Sequence, residues 1–73
     1  MQQKELKSTV DEKNFHGATS IDKGDHHILR VSFINDEQDV TIRTARGGIR
    51  KFKTLEAIKA MLSEVGVFNW LVR

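Results

Sequence analysis

The sequence predicts an α+β domain: a small antiparallel sheet of three to four strands packed on one helix, in the order β-β-β-α-β. Three observations carry this expectation. Residues 28–44 hold two stretches in which apolar and polar side chains alternate, the period of half-buried strands. Gly47-Gly48 follows them, a hairpin signal. Residues 55–65 then repeat apolar side chains at helical spacing.

In the first strand, Leu29, Val31 and Phe33 alternate with Arg30 and Ser32. Asn35-Asp36-Glu37-Gln38 supplies turn chemistry. In the second strand, Val40, Ile42 and Thr44 alternate with Thr41 and Arg43. A loop over 35–38 sets Phe33 opposite Val40, Val31 opposite Ile42 and Leu29 opposite Thr44, so that one face is apolar throughout. A three-residue loop, Arg46-Gly47-Gly48, with a glycine in the left-handed region then brings Phe52 opposite Ile42. A two-residue Gly-Gly loop would put Phe52 on the wrong face. The third strand is therefore expected at about 49–53.

Thr54 suits a helix N-cap, and Glu56 complements the dipole in the first turn. Leu55, Ile58, Met61, Leu62 and Val65 form the apolar stripe, and Gly66 follows it as a C-terminal glycine. The helix is expected at about 55–65. The apolar run 67–72 reads as a fourth strand, with Phe68 and Trp70 on one side as core.

Residues 1–25 are polar and carry four Lys against five Asp and Glu. Leu6 and Val10 would make one helical turn, which does not overcome the cost of helix nucleation. The segment is expected to be a disordered tail with at most a fraying helix near 3–12. The folded domain is then 26–73, with eight Lys and Arg against five acids.

Composition excludes several functions. There is no cysteine, hence no disulfide or thiolate metal site, which suits a reducing compartment. No apolar run approaches the roughly 20 residues of a membrane span, and the N-terminus lacks a secretory pattern. A cytoplasmic protein without a membrane partner is expected. His26 and His27 are adjacent and would point to opposite faces of a strand, and His16 lies upstream in loop, so no metal or other cofactor is expected. Ser8, Ser20, Ser32 and Ser63 sit in no nucleophile-elbow context. The carboxylates around Asp36, Glu37 and Asp39 read as a solvated turn. Arg46-Gly47-Gly48 is too short for a phosphate-binding glycine loop. No catalytic activity is expected.

The positive signal is charge. Arg43, Arg46, Arg50, Lys51 and Lys53 lie within residues 40–55 with no acid among them. In the expected register Arg30, Arg43 and Lys51 form a row on the sheet face away from the helix, beside Ser32, Thr41 and Lys53. Like charges directly across strands are destabilising, and an anionic partner gives such a row a use, because Lys and Arg neutralise phosphates while hydroxyls donate hydrogen bonds. Arg30, Arg43, Arg46, Arg50, Lys51 and Lys53 are the expected nucleic-acid-binding residues, with DNA as the first candidate. The alternative is a protein-interaction adaptor or homodimer, since Ile28, Ile34, Ala45 and Ile49 also fall on that face and acids of the tail could neutralise it.

The run Arg50-Lys51-Phe52-Lys53-Thr54-Leu55-Glu56-Ala57 resembles the strand-to-helix junction of the arm-type DNA-binding domains of phage and transposon integrases. The resemblance covers roughly residues 28–65. It implies a three-stranded sheet backed by a helix, with the sheet in the major groove and Arg30, Arg43, Lys51 and Lys53 facing it. The expected fourth strand departs from that pattern, and no recombinase catalytic domain is expected to follow. A likeness of fold does not by itself give function.

Overall fold

The computed structural model describes residues 1–34 and 37–73. Its elements are α1 (Gln3–Asp11), β1 (Phe15–Asp22), β2 (His27–Phe33), β3 (Val40–Thr41), α2 (Leu55–Glu64) and β4 (Leu71–Val72). The sheet has four strands in the order β3-β2-β1-β4; β1 is antiparallel to β2, β2 antiparallel to β3, and β4 parallel to β1. The α+β class is as expected. The fold departs from the expected one in having two helices and a mixed sheet.

The largest difference lies in residues 1–25, expected as a tail. They form α1 and the interior strand β1. Leu6 is fully buried in the core, with Met1, Val10 and Phe15 packed against it. Burial of one apolar stripe by the rest of the chain offsets the nucleation cost that an isolated helix would carry. The strand was hidden because its inward residues are small: Ala18 and Ser20 are buried on the core side, flanked by less buried Gly17, Thr19 and Ile21. Lys23 N–H donates to His26 O (2.8 Å) across the β1–β2 turn, where Gly24 adopts φ +100°, a conformation that favours glycine.

Both helices end the same way. In α2, Gly66 has φ +89°, Gly66 N–H donates to Ser63 O (3.2 Å) and Val67 N–H to Leu62 O (2.8 Å). In α1 the corresponding residue is Lys13, at φ +60°; Lys13 N–H donates to Val10 O (3.0 Å) and Asn14 N–H to Thr9 O (3.1 Å). Each is the paired 5→2 and 6→1 arrangement that satisfies the last carbonyls of a helix. Thr54 caps the start of α2, its hydroxyl accepting from Ala57 N–H (3.2 Å). Ile58, Met61, Leu62 and Val65 of the expected stripe are buried, whereas Leu55 is exposed.

The region after β2 is paired differently from expectation. The turn expected at 35–38 falls partly outside the described residues. Beyond it, Val31 pairs with Val40 and Arg30 with Thr41, a slide of two residues that keeps the apolar face intact. The following loop has three residues, as expected, but is placed one residue earlier. Thr44 N–H donates to Gly48 O (2.8 Å), Arg43 bridges Ile49, and Gly47 takes the left-handed conformation at φ +93°. Arg50, instead of Phe52, then meets Ile42, through Arg50 N–H to Ile42 O (3.1 Å). Phe52 crosses to β2 and forms an isolated bridge with His27, so residues 49–53 make no continuous third strand. Phe52 is nonetheless buried with Ile42, Leu29 and Leu62.

The C-terminal run is only partly a strand. Val67 is buried and Trp70 packs at the core margin, but Phe68 is 72% exposed, against its expected place in the core. No helix among the described residues is long and apolar enough to cross a membrane.

Candidate nucleic-acid interface

The slide in register dissolves the expected row Arg30–Arg43–Lys51. Arg30 is exposed in the middle of the sheet, between Thr19 of β1 and Thr41 of β3. The adjacent Ser32 hydroxyl donates to Asp39 (2.7 Å), so this region of the sheet carries an acid as well as Arg30. Arg43 and Lys51 are not paired with each other, because Arg43 bridges Ile49 and Lys51 lies in the segment that crosses to His27. Lys53 joins no row with Ser32 and Thr41.

The cations gather instead along residues 43–53, an arm that leaves the sheet after Ile42 and returns to it at Phe52. Arg43, Arg46, Lys51 and Lys53 are exposed on it, and Arg50 is half-buried. The two anchored arginines are held by neutral groups. Arg43 Nη1 donates to Gly47 O (2.9 Å). Arg50 Nη1 donates to Gln3 Oε1 (3.1 Å), and its guanidinium lies 5.0 Å from the centre of the Phe52 ring, within the range of a cation–π contact. Among the described residues no Lys or Arg forms an ion pair with a carboxylate; the one contact of that kind joins His26 to Asp25. The acids of residues 1–25 form no ion pair with the arm, although the charge of Lys51 reaches Asp25.

Lys51 exerts a minor influence on Asp25. The Asp25 carboxyl is held below its usual value first by its hydrogen bond with His26, then by its own backbone N–H and the charge of His26, and last by Lys51.

The arm also borders α1, which the sequence did not place there. Arg43 N–H donates to Met1 O (2.6 Å), fixing the start of α1 against the arm. A cleft of about 310 Å³ opens at this junction, lined by Lys4, Arg43 and Arg50 together with Gln2, Gln3 and Thr44. Lys4 was missed because residues 1–25 were read as a tail; the spacing of Leu6 and Val10 was the signal for the helix that carries it. A wider cleft of about 480 Å³ opens beside β4, where His16, Thr19, Ser32, Asn69 and Trp70 supply polar and aromatic lining but no Lys or Arg. Among the described residues no three His, Asp or Glu side chains converge as metal ligands would.

No family model, curated protein or solved structure matches the chain.

Proposed function

We propose that the protein is a small nucleic-acid-binding module, DNA being the first candidate, that holds phosphates through the cationic arm 43–53. The observation that carries this reading is that the cations of the arm form no ion pair among the described residues. Five Lys and Arg fall within eleven residues, four of them exposed, and none is paired with a carboxylate among the described residues. Repulsion among such charges favours an anionic partner, and phosphate neutralisation with release of counter-ions supplies the affinity. Arg30, flanked by two threonines, offers one further contact on the open sheet face. The resemblance to integrase arm-type domains agrees with a DNA partner; in this reading the arm, more than the sheet face, meets the backbone. In this reading the module has an accessory or regulatory role, without catalysis of its own.

A second reading has its own support. Phe68, Leu71 and Val72 are 72%, 63% and 55% exposed in one short run, which suits a protein partner or a second copy. Titrating the labelled protein with duplex DNA, single-stranded DNA and RNA in low salt separates the two. Saturable binding that weakens as salt rises supports the nucleic-acid reading. Absence of binding to all three, together with concentration-dependent self-association, puts the second reading in its place.

A further inference from the structure

We propose that the cleft between the first turn of α1 and the arm is a phosphate-binding site, with Lys4, Arg43 and Arg50 as its cationic ligands. The proposal rests on the nucleic-acid reading for the source of the phosphate, a backbone phosphodiester, but not for the chemistry of the site.

The three cations come from two separate segments and line one concavity. No carboxylate lines it; Glu5, in the same helical turn, is engaged with the backbone N–H of Gln2 (3.4 Å). Arg50 is partly buried and forms no ion pair among the described residues, so an anion seated in the cleft would be its first charged partner there. Its orientation is already set by Gln3 and by the Phe52 ring. Arg43 is likewise held, by Gly47 O on its side chain and Met1 O on its main chain. Each guanidinium has five N–H donors, and each uses one nitrogen in these contacts with the described residues, which leaves further donors to offer an oxyanion. The preorganisation lowers the ordering cost of capturing a phosphate. The N–H groups of Gln3 and Lys4 in the first turn have no acceptor within the helix and add to the three cations without being needed to define the site.

The test uses the full chain, isotope-labelled, titrated in parallel with inorganic phosphate at constant ionic strength and with a short DNA duplex. Lys4→Gln removes a cation of the cleft. Lys7→Gln removes the same charge one turn further along, outside it. Inorganic phosphate is expected to move the amide signals of Gln3 and Lys4 and the side-chain N–H signals of Arg43 and Arg50 saturably. Lys4→Gln should weaken phosphate binding several-fold and lower the log–log salt slope for DNA by about one, with little change for Lys7→Gln. Phosphate binding here without any binding of nucleic acid would uphold the site, assign it to a free phosphate compound and remove the nucleic-acid reading. DNA binding that leaves these signals unmoved and is indifferent to Lys4→Gln would overturn the site and leave that reading standing. Diffuse, non-saturating shifts, or equal effects of Lys4→Gln and Lys7→Gln, would overturn the site as general charge attraction.

Discussion

Gln3 and Arg50, far apart in the chain, are joined directly: Arg50 Nη1 donates to Gln3 Oε1 at 3.1 Å. The same amide donates from Nε2 to Glu64 at 2.7 Å. One neutral side chain thus ties the arm to both helices and holds an arginine in place without neutralising it. Gln3→Ala should reduce stability by about 0.5–1.5 kcal/mol, the usual net value of such hydrogen bonds. It should also broaden the side-chain N–H signal of Arg50. A denaturation midpoint equal to that of the unmodified protein, with an unchanged Arg50 signal, would show that the tie is immaterial.

Leu6→Ala tests whether residues 1–25 belong to the fold. Leu6 is fully buried with Ile58, Leu62 and Leu29, so its truncation should cost about 2–5 kcal/mol. For a domain of this size that is a large share of the total. A cost under about 0.5 kcal/mol, the range of surface positions, would return the segment to the status of a tail.

Lys13 occupies the left-handed position that closes α1, at φ +60°. A side chain there costs about 1 kcal/mol relative to glycine, partly offset because glycine gives the unfolded chain more freedom. Lys13→Gly should therefore stabilise the protein by about 0.5 kcal/mol, read as a rise in the thermal midpoint. Gly66→Ala, at the equivalent place in α2, should lower it.

The Asp25 carboxyl is fully exposed and held low chiefly by its hydrogen bond to His26. A carboxyl with a depressed folded value adds stability above its ordinary range, and that contribution is lost as pH falls through the folded value. A carbon-detected titration should give Asp25 a midpoint below the ordinary aspartate range, and His26→Ala should raise it toward that range. An unmoved midpoint in the variant would assign the shift to backbone groups.

These positions also show what could be read from the sequence. α2 was legible because each of its signals is conventional: Thr54 before it, a stripe of large apolar residues and Gly66 after it. α1 uses the same closing geometry with a lysine in place of the glycine, so its end carries no mark. β1 turns Ala18 and Ser20 inward, and two small side chains give no hydrophobic alternation. In the arm, the loop length was legible from Gly47-Gly48, but its position was not. Moving the loop by one residue slides the pairing by two, which keeps each side chain on its face but changes every cross-strand neighbour, so the cations were found and the row they were expected to form was not. Lys4 escaped with the helix that holds it.

The salt dependence of nucleic-acid binding tests most directly whether the arm 43–53 meets phosphates. The measurement compares the unmodified protein with an Arg46→Gln, Lys53→Gln double variant, whose two residues are exposed and form no ion pair among the described residues, so that folding should be undisturbed. Binding to duplex DNA should weaken steeply as salt rises, and the double variant should bind more weakly with a log–log slope smaller by about two. An unchanged slope and affinity in a variant of unchanged thermal stability would contradict the account.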